Sequence, residues 1–155
     1  MRAVLSTRPV SSADRHRLRE IYVACRADEF RELALSDAQR TGLLHMQFEA
    51  QQHHYTTYFG DAEFLLVEYN GEVAGRMTVQ RSTEQMLLVD IAVLPAFRGQ
   101  GIATALLGVL IAESQERGLP LRCHVDPGNP ARRLYERLGL RVVGQVGVDL
   151  LLELA

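Results

Sequence analysis

The segment Arg98-Gly99-Gln100-Gly101 is the part of the chain where residue types and spacing point most directly to chemistry. It is followed by Ile102-Ala103-Thr104-Ala105-Leu106-Leu107, so it reads as a loop opening straight into a helix. The first turn of a helix leaves up to four N–H groups without partners and carries roughly half a positive charge. Glycine at 99 and 101 lets an anion come close to those groups, and Arg98 adds a permanent positive charge. Such a site binds phosphate, and its form suits a diphosphate. Two familiar phosphate loops are excluded. In the dinucleotide pattern Gly-x-Gly-x-x-Gly the third glycine is replaced here by Thr104, and no acidic residue follows a second strand at the required distance. The lysine-bearing P-loop is impossible, because all 17 basic residues are arginine. The same absence removes Schiff-base and Ser–Lys chemistry.

Immediately upstream, Asp90 is the single charge in the otherwise apolar run Met86–Leu94. A carboxylate there serves either as a proton acceptor for an attacking amine or as a structural acceptor for backbone N–H groups near the loop. His53 and His54 are adjacent, and neighbours on a helix point ~100° apart, so they are poor joint metal ligands. No third ligand accompanies them, and no metal site is expected.

The run Val93-Leu94-Pro95-Ala96-Phe97-Arg98-Gly99-Gln100-Gly101-Ile102-Ala103 fits the signature V-x-P-x-[YF]-[RQ]-G-x-G-[IL]-[GA] at every fixed position. In this it resembles the pyrophosphate loop of the GNAT superfamily of N-acetyltransferases. Downstream, Asn129-Pro130-Ala131-Arg132-Arg133-Leu134-Tyr135-Glu136-Arg137-Leu138-Gly139-Leu140 is similar to a second signature of that superfamily, N-x-x-A-x-x-x-Y-x-x-x-G-[FL]. The Ala-to-Tyr and Tyr-to-Gly distances are kept, while the Asn stands one residue closer to the Ala. The resemblance implies acetyl-CoA as co-substrate, with no metal. Ile91, Ala92 and Val93 would line the pantetheine arm, Arg98, Gly99, Gln100, Gly101, Ile102, Ala103 and Thr104 would hold the diphosphate, and Asn129 would hydrogen-bond near the pantetheine. Tyr135 would protonate the departing thiolate, which a phenol of pKa about 10 can do at neutral pH; the alternative is a tyrosine packed under the sheet. A backbone N–H near Val93 could stabilise the oxyanion. Many relatives carry a Glu a few residues before Asp90, where this chain has Leu87 and Val89. His124, on the strand that splays away in this family, is the other candidate to take the amine proton, unless it merely packs. Arg132 and Arg133 reach the 3′-phosphate of CoA or form an exposed helix face.

The elements that must position these residues alternate between strand and helix. A strand is expected at Val4–Val10 and a helix from a cap within Ser11–Asp14 to about Asp28. A second helix should run from Ser36 to about Tyr58. Glu63–Tyr69 and Glu72–Arg81 flank Asn70-Gly71, a tight hairpin turn. Met86–Leu94 reads as a strand covered on both faces. The helix from Gly101 to about Glu116 carries two apolar rows, Ile102/Leu106/Leu110 and Ala103/Leu107/Ile111. Leu121–Val125, Pro130–Leu138 and a closing hairpin, Leu140–Gly144 with Val148–Leu152, complete the order. These elements imply one mixed α/β sheet covered by helices. The resemblance sharpens this to a mostly antiparallel central sheet of about seven strands flanked by four helices, one N-acetyltransferase domain over residues 1–155.

Composition sets the outer limits. The 155 residues are 47% hydrophobic and carry a net charge of −2, against a general nucleic-acid binder. Two cysteines, Cys25 and Cys123, show no framework spacing, and the opening residues show no signal peptide, so a reducing cytoplasm is the expected home. The run Gly99–Ala112 is far shorter than the ~20 apolar residues that span a bilayer. The acceptor region of the family, its first two helices and final hairpin, here holds Glu29, Glu32, Glu49, Tyr55 and the two histidines, with Tyr22, Phe48 and Phe59 as core. The acceptor is expected to be a primary amine on a small molecule or peptide, and homodimers are frequent in the family. Two alternatives remain: a catalytically silent CoA-binding sensor or interaction module, and a nucleotide-binding regulator using the same loop.

Overall fold

The computed structural model describes residues 3–27 and 33–155. Seven strands and four α-helices follow the chain as β1 (Leu5–Pro9), α1 (Arg15–Arg26), α2 (Asp37–Tyr58), β2 (Glu63–Tyr69), β3 (Glu72–Arg81), β4 (Met86–Val93), α3 (Ile102–Arg117), β5 (Leu121–Val125), α4 (Ala131–Arg137), β6 (Arg141–Val146) and β7 (Asp149–Leu154). The cap expected within Ser11–Asp14 is Asp14, which also ends a short 3-10 turn over Ser12–Asp14, accepts from Arg8 and the Ser11 N–H, and is followed by α1 from Arg15. The expected end of that helix near Asp28 lies outside the described residues, as do Glu29 and Glu32. Ser36 caps α2, accepting from the Gln39 N–H while the Gln39 side chain accepts from the Ser36 N–H.

The strands lie in the order β1-β2-β3-β4-β5-β7-β6. Every neighbouring pair is antiparallel except β4 with β5, which α3 connects. A parallel pair needs such a crossover. Asn70 and Gly71 turn the β2–β3 hairpin with φ of 52° and 83°. Gly75 of β3 lies opposite Val93, and a Cβ there would stand 2.0 Å from the Ala92 carbonyl oxygen, so only glycine allows this approach of β3 to β4.

The sheet separates two apolar clusters. Under α3 and α4, Leu106, Leu107 and Leu110 pack with Met77, Val79, Met86, Leu88, Leu121, Cys123, Tyr135 and Leu152. Full burial of a leucine such as Leu107 stabilises by roughly 1.5–3 kcal/mol. Under α1 and α2 a smaller cluster holds Leu18, Ile21, Tyr22, Leu44, Phe48 and Leu66. No described helix is long and apolar enough to cross a membrane.

Candidate active site

β4 and β5 are in register only at Met86–Leu121, Leu87–Arg122 and Leu88–Cys123. Beyond Leu88, β4 continues to Val93 and β5 to Val125 without pairing, so the two strands diverge into a slot. Val89 is an extra residue in the β4 ladder, since Thr78 pairs Asp90 while Val79 pairs Leu88. This bulge sits where the strands part. The slot also explains why β4, expected to be covered on both faces, is fully buried only from Met86 to Leu88 and half-buried from Val89 to Val93.

At the open end of β4 the chain turns through Arg98–Gly101 into α3. Gly99 and Gly101 have φ of 79° and 78°, and a Cβ on either would meet nothing within 4 Å. Glycine is needed there for the left-handed backbone rather than for space. Gly101 is the N-cap of α3 and has no side chain with which to cap it. Among the described residues, the N–H groups of Gly99, Gln100, Gly101, Ile102, Ala103 and Thr104 donate to no backbone acceptor; the next to do so is Ala105, to the Gly101 carbonyl at 3.0 Å. This is an anion cradle by geometry and by charge. Arg98 Nε donates to the Val93 carbonyl at 3.0 Å, and the Cys25 thiol lies 3.5 Å from the same oxygen. Burial pushes the Cys25 thiol up, with Arg98 pulling the other way.

Tyr135 projects from α4 into the larger cluster and is 6% exposed. Burial pushes its phenol above the ordinary value of 10, and Cys123 on β5 and Asp90 on β4 push it further. It therefore stays protonated across neutral pH. The buried polar side-chain atoms that make no hydrogen bond among the described residues belong to Arg40, Arg76 and Asp90, and the Tyr135 hydroxyl is not one of them. Asn129 uses its Oδ1 to accept from the Ala131 N–H at 2.9 Å, fixing the start of α4. Arg132 is tied to Glu136 at 2.7 Å, and Arg133 is exposed.

The opposite face of the sheet carries the polar groups. β5 alternates, sending Leu121, Cys123 and Val125 into the larger cluster and leaving His124 exposed on the other face. The bulge at Val89 places Asp90 on that same face, while Ile91 and Val93 pack toward α3. Asp90 makes no backbone bond near the loop. Its Oδ2 lies 2.8 Å from Arg76 Nε. Arg76 also donates to Gln51 of α2 and stands 5.9 Å from the Tyr22 ring centroid. Arg76 and Gln51 were not among the residues expected from sequence; an arginine inside the apolar run Val73–Val79 was the available signal. Tyr22 and Phe48 are core, meeting edge to face at 5.9 Å. Tyr55 is half-buried, and burial, then Asp90, raises its phenol. Glu49 is ion-paired with Arg15. His53 and His54 are both exposed, and among the described residues no group of three or more His, Cys, Asp or Glu could hold a metal.

Comparison with known proteins bears on the fold and the family. A [ribosomal protein bS18]-alanine N-acetyltransferase of Haemophilus influenzae is 36% identical over 75 residues, covering 48% of this chain and 51% of that protein. An acetyltransferase of Agrobacterium fabrum is 41% identical over 63 residues, covering 39% and 45%. The matched stretches thus span about half the length of these curated relatives. Among solved structures, the PaiA N-acetyltransferase of Thermoplasma acidophilum in complex with coenzyme A superposes with a TM-score of 0.72 at 16% identity, over 97% of this chain and 98% of that one. A putative acetyltransferase of Salmonella typhimurium with acetyl-CoA gives 0.56 at 25% identity, over 97% and 92%. The sequence profile described as the Acetyltransferase (GNAT) family matches residues 15–140, from the first residue of α1 to the start of β6, and the chain belongs to that family.

Proposed function

We propose that residues 1–155 form a single N-acetyltransferase domain that moves an acetyl group from acetyl-CoA to a primary amine, by direct attack while both substrates are bound. The observation that carries this reading is the row of unpaired N–H groups from Gly99 to Thr104, set beside the slot where β4 and β5 part. Acetyl-CoA supplies a thioester carbonyl and a thiolate leaving group. The N–H row, with Arg98, holds the diphosphate. The unpaired edge of β4 at Ile91, Ala92 and Val93 lies along the pantetheine arm, with the Asn129 amide nearby and an N–H near Val93 for the oxyanion. Tyr135, kept neutral by burial, gives its proton to the departing thiolate. On the opposite face Asp90 and His124 flank the slot and take the proton of the amine, directly or through water. The name of the Haemophilus relative supports a peptide amine as acceptor, and a small-molecule amine meets the same chemical demand. The two cysteines are both free thiols, which fits a reducing cytoplasm.

Calorimetry on acetyl-CoA tests the cradle. Gly101→Glu, which strains the backbone and places a carboxylate among the N–H groups, abolishes binding; unchanged affinity refutes the loop assignment. Tyr135→Phe keeps acetyl-CoA affinity and lowers turnover by roughly 10²-fold, as expected for loss of a general acid; a full-speed variant rejects that role. One observation favours a second reading, a silent CoA-binding module: the Asp90 charge is already met by Arg76. Release of free thiol across a panel of primary amines separates the two.

A further inference from the structure

Arg76 stands in the middle of β3, among the buried residues Ala74, Met77 and Val79, and is itself only 5% exposed. Burying a guanidinium in an apolar layer is costly unless partners compensate it, and a purely structural pair there is often replaceable by apolar residues without loss. The partners come from three elements: Gln51 of α2 accepts from Nη2, the Tyr22 ring of α1 lies 5.9 Å from Cζ, and Asp90 of β4 lies 2.8 Å from Nε. Nε and Oδ2 are close as charges but misaligned as a hydrogen bond, and both atoms are sealed from solvent. Attraction therefore holds the carboxylate in place through one oxygen, while 18% of the Asp90 side chain stays open. Asp90 also stands centrally. Its charge bears on Tyr135 of α4, Tyr55 of α2 and Cys25 of α1.

We propose that Arg76 is a positioning residue, bracing Asp90 so that its Oδ1 receives the acceptor as a primary ammonium beside the slot. The proposal rests on the N-acetyltransferase reading and adds to it a class of acceptor and a residue. An amine with its own carboxylate close by is disfavoured, since that charge meets Asp90. Arg76 reaches the acceptor only through Asp90, and Gln51 makes the brace continuous with the helix that covers this face.

The test uses the full chain with the best acceptor of the amine panel. Asp90→Asn and Arg76→Met each raise KM for the amine about tenfold or more, as loss of a charged hydrogen-bond partner does, while acetyl-CoA affinity stays within about twofold. Arg76→Lys, which restores the charge, recovers part of the loss. A fall in kcat with both KM values unchanged confines Asp90 to proton transfer and overturns the proposal. If Arg76→Met does not fold, Arg76→Gln, which removes the charge but keeps a polar side chain, takes its place: a raised KM for the amine supports the brace, and an unchanged KM refutes it. A readout independent of turnover is the Asp90 carboxyl carbon resonance in the CoA-bound protein. It moves saturably with n-butylammonium but not with n-butanol, and an immobile resonance overturns the proposal. Failure of the parent protein to bind acetyl-CoA instead overturns the N-acetyltransferase reading, and this inference with it.

Discussion

On the face covered by α3 and α4, the site is made of neighbours in the chain: the end of β4, the glycine loop and the first turn of α3 follow one another from Ile91 to Thr104. On the face covered by α1 and α2, it is assembled from distant segments, with Tyr22, Gln51, Arg76 and Asp90 meeting only after the sheet has formed. The first kind of site uses backbone N–H groups and needs little beyond glycine and a helix start. The second uses side chains held by other side chains, so each member depends on the register of strands and the seating of a helix. The difference matches the ligands proposed for each: a diphosphate presents the same charge everywhere, whereas an acceptor must be chosen.

Gly75 sets the approach of β3 to β4, the strand that both halves of the site share, and altering it should break the contrast altogether. Gly75→Ala drives a methyl into the Ala92 carbonyl, forcing β3 from β4 and costing about 3 kcal/mol or more. Thermal unfolding checks this; a melting temperature equal to the parent's would show that the strands can part freely. A smaller effect belongs to the α1 side alone. Arg8, then the Ser11 N–H, holds the Asp14 carboxyl below the usual carboxylate range. Because the folded value is the lower one, the tether contributes fully above about pH 5 and is lost as pH falls toward the folded value. Acid unfolding of Asp14→Asn should therefore be less steep than the parent's below about pH 5, and parallel curves would reject the tether. The smallest effect lies in α3. Gly108 is exposed in the helix interior, with open space around its Cβ position, so Gly108→Ala should stabilise by about 0.5–1 kcal/mol in urea titration without altering acetyl-CoA affinity.

The same contrast explains what the sequence made legible. β2, β3 and β5 occupy the stretches their apolar patterns and turn residues mark, and the cradle could be read from Arg98-Gly99-Gln100-Gly101 because its geometry is set within a few residues. The hairpin β6–β7 is offset from its apolar pattern: Leu140 and Val148 fall outside the strands, while Gln145, Val146, Glu153 and Leu154 join the ladder through backbone groups that no pattern of side chains reveals. Asp90 was visible as a lone charge, but its partner was not. Thr78 pairs with Asp90 only because of the bulge at Val89, and that register brings Arg76 alongside. Gln51 lies within a largely polar 22-residue helix, where nothing local separates it from its solvated neighbours.

The short parallel seam between β4 and β5 has a consequence for how the molecule comes together. Strands β1–β4 and the β5–β7–β6 group are each antiparallel, and the hairpins within them close over a few residues. The seam joins partners separated by all of α3, a longer closure than any hairpin but a shorter one than β1–β2 across α1 and α2, so topology favours its formation after the hairpins. Local opening should begin at the same place, and hydrogen exchange should be fastest, among strand amides, along the margins where β4 and β5 drift apart.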